Sequence, residues 1–226
     1  MATKDKTKDK TKRRKRKVDS DRTMTSLLDA ATKLFLEKGF EATSIGDICS
    51  AAKLTKPTAY YYFESKNHLL FSVHIRGLEK NLKPYMEMVK AIPEPEARCR
   101  TMIREYTRVI CSERALRFLL HGTLTIKDKF SKEIRQAWKE HYHLLRDTIA
   151  EIQSKGVFVD DVSPSFAALL ILGMITWITF WYDFGKTGSG RSSALSGAFG
   201  NHEADKIDEL ADLVERLVFH GLSRHG

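Results

Sequence analysis

A chain of 226 residues that is 42% hydrophobic can bury a sizeable core in one large domain or two small ones. Its net charge of +9 points to polyanionic partners, and Cys49, Cys99 and Cys111 show neither CxxC spacing nor a neighbouring histidine pair, which excludes a zinc cluster or a disulfide framework and suits a reducing cytoplasm. No GxSxG occurs, no nucleophile and base fall into a coherent pair, and Gly185-Lys186-Thr187 imitates a P-loop end without its first glycine or its strand, so nothing suggests an enzyme.

The charge is concentrated at the N-terminus. Ten basic residues between Met1 and Lys17 face only Asp5 and Asp9, so +8 of the net +9 lies in the first seventeen positions and the remainder is nearly neutral. A like-charged run with no apolar anchor predicts a disordered arm over residues 1–19. Arg13, Arg14 and Arg16 would lie there along phosphates or in a minor groove; a solubilising tail is the other use of such a composition. The arm has no apolar stretch of the signal-peptide kind.

The first predicted helix runs from about Ser20 to Lys38, with Leu27, Leu28, Ala31, Leu34 and Phe35 on one face and Gly39 as its stop. Residues 43–63, TSIGDICSAAKLTKPTAYYYF, then hold two short helical patterns around a break at Lys53-Leu54 too short for anything but a sharp turn. Ser44 with Asp47 three positions later forms a capping box; Thr55 fits a second N-cap, with Pro57 in the first turn where its missing N–H removes no bond. Two helices so joined are a helix-turn-helix, whose second helix enters the major groove by its N-terminal residues.

Thr55, Lys56, Pro57 and Thr58 are therefore the base-edge candidates: Lys56 as a donor to guanine, the Pro57 ring and the Thr58 methyl as packing for a thymine methyl. Tyr60, Tyr61 and Tyr62 offer hydroxyls to phosphates; an aromatic run is often plain core, but three successive tyrosines cannot all face inward on a helix. Ser65-Lys66 combines a helix N-terminus with an ammonium, which suits a phosphate, against the alternative of a solvated lysine. Ser44, at the head of the first short helix, completes the DNA-contacting set.

A long helix is predicted from Ser65 to about Ala91, ended by Pro93 and Pro95. Further helical patterns follow near 96–112, 114–125, 131–153 with Gly156 closing it, 163–184, and 203–221 after a Gly/Ser-rich loop over 185–201. The uncharged run Val162–Tyr182 has bilayer-spanning length, but Asp161 and Asp183 bound it and no basic flank would orient it. It reads instead as a buried helix that, with the last helix, supplies half of a four-helix bundle completed by a twofold mate, with Gly173, Leu213 and Leu217 in the seam.

Residues 27–70 resemble the DNA-binding domain of the tetracycline-repressor (TetR) family of bacterial regulators. The resemblance is carried by Ala30-Ala31, Leu34-Phe35, Gly39-Phe40, Thr43-Ser44, Ile48, Leu54-Thr55-Lys56, Tyr60, Phe63, Ser65-Lys66 and Leu69. Lys53 and Pro57 stand where the family commonly has glycine, and Tyr62 where it commonly has histidine. The C-terminal part is similar to the branch that responds to acyl-CoA thioesters, through Ile149-Ala150, Gly156, Asp161, Gly173-Met174, Trp177, Trp181-Tyr182, Ala211 and Gly221-Leu222.

The resemblance implies an all-α homodimer with a helix-turn-helix domain at 20–68 and a ligand-binding and dimerisation domain at 69–226. Such a protein is cytoplasmic, binds a double-stranded DNA operator, and is a repressor released by a small apolar effector, here an acyl-CoA, with no metal or other cofactor. Phe118, Leu119, Trp138, Tyr142 and Trp177 would line its apolar tunnel, although each also suits plain core. Arg104 and Arg108, which with Arg100 make an i, i+4, i+8 stripe, would hold the CoA phosphates; a solvated face is the alternative. A drug-like or aromatic effector, or nonspecific nucleic-acid binding, are the competing readings.

Overall fold

The computed structural model describes the backbone of residues 3–112, 131–187 and 203–223, and side chains over 18–111, 131–178 and 206–223. Among the described residues everything regular is helical apart from one isolated antiparallel bridge, Phe158–Ser223. The order is α1 (Thr3–Lys38), α2 (Ile45–Ala52), α3 (Lys56–Tyr62), α4 (Lys66–Gly77), a π-helical turn (Leu78–Leu82), α5 (Lys83–Lys90), α6 (Pro95–Ser112), α7 (Ser131–Ser154), α8 (Pro164–Thr187) and α9 (Glu203–Leu222). The predicted helix at 114–125, with Phe118 and Leu119, lies outside the described residues, as does most of the loop expected over 185–201. The chain divides into two compact units, residues 1–73 and 74–226.

In the first unit the apolar faces read from the sequence close on one another: Leu27, Ala31, Phe35, Ile48, Phe63 and Leu69 are all buried. Local chemistry fixes the ends of the elements. Gly39 takes a left-handed φ of 83° after α1, and the buried Thr43 hydroxyl donates to Gly39 O at 2.7 Å. Helix α1 differs from its prediction in starting at Thr3 instead of about Ser20. Lysine and arginine are good helix formers, no Gly or Pro interrupts 3–19, and an already nucleated helix extends at little cost.

In the second unit α6 is central and packs against α5, α7, α8 and α9. Met102, Ile103 and Ile110 of α6, Ile149 and Ile152 of α7, Ala168 and Ile175 of α8, and Ala211 and Val214 of α9 form its buried apolar interior. Each large side chain there contributes about 1.5–3 kcal/mol by leaving water. Arg98 anchors the start of α6, donating to Thr148 Oγ1 at 2.9 Å and Glu151 at 2.6 Å on α7.

The helix predicted from Ser65 to Ala91 is interrupted by the π turn. Its cause is Pro84, which lacks an N–H and would crowd the carbonyl four residues back; the Lys83 N–H reaches Leu78 O, five residues back, and the ladder widens to accommodate the ring. Gly156, with φ 74°, turns the chain after α7, and Gln153 Nε2 fastens the following loop to Val159 O and Val162 O.

Two helices carry apolar side chains on the outside. Helix α8 exposes Phe166, Leu169, Leu170 and Trp177 around Gly173, and α9 exposes Leu213 and Leu217, with Leu170 at 70% and Leu217 at 56%. Among the described residues no helix is long and apolar enough to cross a membrane.

Candidate functional site

Helices α2 and α3 are built by their caps. The Ser44 hydroxyl accepts from Asp47 N at 3.1 Å while Asp47 Oδ2 accepts from Ser44 N at 2.9 Å, a complete capping box. These bonds from Ser44, with Lys38 and Lys56 nearby, hold the Asp47 carboxyl below the usual carboxylate range. Lys53 ends α2 in the left-handed region at φ 56°, a conformation that costs a side-chain-bearing residue about 1–2 kcal/mol. Thr55 then caps α3, its hydroxyl 2.8 Å from that of Thr58, and buried Cys49 donates to Thr55 O from the α2 side.

The result presents Ser44, Thr55, Lys56 and Pro57 to solvent on one small helix pair, with Thr58 half-buried behind them. Of the three tyrosines, Tyr60 and Tyr61 are exposed, the latter by 82%. Tyr62 departs from the expectation: its hydroxyl lies 3.0 Å from Ser20 Oγ and ties α3 to α1. Lys66 also differs. Its ammonium donates to Phe40 O at 2.9 Å and to Glu41 O, and stands 4.3 Å from the Phe40 ring centroid, so it closes the chain after α1 instead of pointing outward. The backbone carbonyls past Gly39 lack helical donors, and a half-buried ammonium satisfies them. Arg13, Arg14 and Arg16 lie on the first turns of α1, with their side chains outside the described ones.

Sequence reasoning missed Gly46. A Cβ built there would meet Lys56 Cε at 3.0 Å, so the lysine stem crosses the glycine. A glycine in the first turn of an eight-residue helix is the signal that was available, because glycine forms helix less readily than alanine.

In the second unit the basic stripe of α6 meets an acidic stripe on α9. Arg104 lies 2.9 Å from Asp212, Arg108 lies 2.7 Å from Asp208 and also pairs with Glu105, and Arg100 pairs with Glu215 while stacking 3.6 Å over the Phe219 ring. Arg104 and Arg108 thus stand partly in solvent, 40% and 30% exposed, with their charge matched by carboxylates of α9. Antiparallel packing brings carboxylates at near-matching spacing against them.

The other tunnel candidates separate. Trp138 belongs to a ring cluster with His74, Tyr85, Tyr106 and His141, in which the Tyr106 and His141 centroids are 4.5 Å apart. Tyr142 is half-buried beside Arg146, and Trp177 is 57% exposed on the outer face of α8, away from any interior lining. Burial pushes His141 down to about 3 and His74 down to about 4, and raises Tyr106 to about 12. The cluster is therefore uncharged at neutral pH. Trp138 Nε1 and His141 Nδ1 are buried without a hydrogen-bond partner among the described residues, each at a cost of about 1–3 kcal/mol if left so. A half-open cleft of about 280 Å³ lies between the π turn, α5 and α7, lined by Leu78, Leu82, Met86 and Ala137 together with both glutamates and lysines, Lys83 and Lys90 among them. Among the described residues no group of three or more His, Cys, Asp or Glu side chains is placed to hold a metal ion.

Residues 27–73 match the family described as bacterial regulatory proteins, tetR family, and residues 93–194 match the tetracyclin repressor-like C-terminal domain. The chain is 28% identical over 209 residues to the HTH-type transcriptional repressor NicS of Pseudomonas putida, covering 87% of this chain and 92% of that one. Among solved structures, a TetR/AcrR-family regulator from Thermobifida fusca is 27% identical with a TM-score of 0.66, covering 89% of this chain and 98% of that one. AibR, solved in complex with isovaleryl coenzyme A and operator DNA, is 22% identical with a TM-score of 0.69 over 87% and 98% of the two chains. With a helix-turn-helix unit followed by a matching C-terminal unit, the chain belongs to the TetR family of bacterial DNA-binding transcriptional regulators.

Proposed function

We propose that this protein is a homodimeric, non-enzymatic cytoplasmic repressor that reads a twofold operator with α3 and releases it when a small apolar ligand occupies the helical C-terminal part. On this reading residues 20–68 bind DNA and 69–226 bind ligand and the second subunit. The observation that carries it is the N-terminal end of α3, where Thr55, Lys56 and Pro57 are solvent-exposed together with Tyr60 and Tyr61. A reading helix needs such an end for base edges, with hydroxyls alongside for phosphates, and a twofold dimer would place two of them about one DNA turn apart. Ligand acts only through its difference in affinity between the operator-competent state and the other.

An acyl thioester of coenzyme A is the effector class supported by the likeness to the AibR complex. Its phosphates would be held elsewhere than on Arg104 and Arg108, which are engaged by α9. An aromatic or drug-like effector is the second reading, favoured by the ring cluster around Trp138 and His141. The test is to select an operator from random duplexes, then measure occupancy by anisotropy with a panel of acyl-CoA thioesters and uncharged aromatics. Loss of occupancy on adding one class assigns the effector. Binding to selected duplex that is unchanged by Lys56→Ala would remove the proposed reading helix.

A further inference from the structure

We infer that Trp138 and His141 form a clamp for an uncharged ligand head that both donates and accepts a hydrogen bond, a hydroxyl or carboxamide on an apolar body. This deepens the ligand-released reading above and rests on it.

The hydrogen positions follow from chemistry. Met102 O can only accept, and it lies 3.2 Å from the Tyr85 hydroxyl, so the contacts of that hydroxyl to Met102 and His141 are both hydrogen bonds only when its single hydrogen is directed to Met102 O, the assignment we adopt. Tyr85 Oη is then left as an acceptor, 3.0 Å from His141 Nε2, and His141 carries its proton on Nε2. Its Nδ1 is consequently a bare lone pair, buried and without a partner among the described residues, on a side chain only 1% exposed. Three positions earlier on α7, Trp138 Nε1–H is a buried donor in the same condition, with the two ring centroids 6.2 Å apart. One orphan acceptor and one orphan donor thus belong to adjoining rings, and the Tyr106 ring lies against both.

A hydroxyl or carboxamide satisfies the pair in one step: its hydrogen goes to Nδ1 and its oxygen accepts from Nε1–H. A carboxylate brings only acceptors and sets a lone pair against Nδ1; an ammonium brings only donors. Tyr85 and Tyr106 are held protonated by burial, so the rings supply no charge to offset an ionised head. A thioester carbonyl would satisfy Trp138 alone. A hydrogen-bonding site discriminates strongly against an analogue lacking the group it was built to meet.

The test uses the ligand-free full-length dimer, labelled with ¹⁵N, and four probes of similar size: phenol and benzamide, which carry both functions, and anisole and benzoate, which do not. Phenol and benzamide should move the Trp138 indole N–H resonance and the His141 ring nitrogens, and should bind about tenfold tighter than the other two, the equivalent of one good hydrogen bond. Trp138→Phe keeps a ring in place and should erase that preference; the His141 ring shifts supply the second readout should His141 variants fail to fold. Equal binding of anisole, or an unchanged preference in Trp138→Phe, overturns the clamp, and indicates that the two atoms are met by ordinary buried water. If acyl thioesters release the operator while phenol and benzamide leave Trp138 unmoved, the clamp falls and the repressor reading stands. If the probes bind as expected but no saturating ligand alters operator occupancy, the clamp stands and ligand release falls.

Discussion

The stem of Lys56 passes over Gly46, with its Cε 3.0 Å and its Nζ 3.5 Å from where a Cβ at residue 46 would stand. The contact couples the first turn of α2 to the side chain proposed to reach a base edge. Gly46→Ala should raise helix stability by at most about 0.5–1 kcal/mol, the helix-interior value being an upper bound in a first turn, because alanine replaces glycine and the far end of a lysine yields cheaply. It should also displace Lys56 and weaken binding to a selected operator. Chemical denaturation and anisotropy on the same preparation check the opposite signs; a variant that loses stability and keeps operator affinity contradicts this geometry.

Lys66 makes a contrasting case. Replacing it by alanine removes the donor to Phe40 O and Glu41 O, and should cost about 1.5–3 kcal/mol of stability, the range for a hydrogen bond from a charged group. Because the ammonium faces the protein, the slope of log affinity against log salt should change by much less than the unit expected for a lost phosphate contact. A full unit change with an unaltered melting curve would restore the phosphate role.

His74 and His141 set an acid limit. Both are held well below their ordinary value by burial, to about 4 and about 3, so the folded protein keeps them neutral while the unfolded chain takes up protons below about pH 6.5. Their contribution is complete above that pH and is lost as pH falls from 6.5 toward the folded values. Each histidine should remove about 1.4 kcal/mol per pH unit in that window. Urea midpoints measured from pH 7.5 down to 5 should be flat above 6.5 and fall below it, and a flat profile throughout refutes the assignment.

The pairing of Arg104 with Asp212 predicts a charge-swap rescue. Arg104→Asp sets two carboxylates together and should lower the melting temperature, and adding Asp212→Arg should recover part of the loss. The coupling should be about 0.2–1 kcal/mol, since both side chains remain 40–50% exposed. Additive losses would mean the pair carries no interaction.

Leu217→Asp should give monomers or insoluble protein. Leu213 and Leu217 on α9, with Leu170 and Phe166 on α8, are exposed in the single chain, and an unpaired carboxylate enclosed between two subunits costs several kcal/mol. Sedimentation of the variant decides: a soluble dimer would place the subunit contact elsewhere.

What the sequence disclosed was local. Ser44 with Asp47, Thr55 with Pro57, and the stops at Gly39 and Gly156 are written within a few residues of the backbone groups they satisfy, and periodicity placed the apolar faces that now pack together. Contacts across long sequence separations were not legible. Nothing near Arg104 announces Asp212, nothing near Lys66 announces Phe40 O, and the Tyr62–Ser20 bond spans α1 to α3. Each of these residues looked solvent-directed because its own helix face is polar, and only the packed partner shows otherwise. The widening at Pro84 escaped for a different reason: a π turn leaves the apolar spacing around it almost unchanged.

The ladder between α6 and α9 also bears on how those helices move. Its rungs repeat at nearly one helical turn on both sides, Arg100, Arg104 and Arg108 against Glu215, Asp212 and Asp208. A slide of α9 by one turn, about 5.4 Å, would trade each rung for the next and leave two of three engaged. Periodic charges of this kind behave as a rail: they hold two helices together and aligned while distinguishing poorly between stops. The stop itself is chosen by shape, where Ile207 and Leu210 pack against Cys111. Shape at that apolar contact, more than the charge ladder, therefore sets where α9, one of the two helices with an apolar outer face, comes to rest.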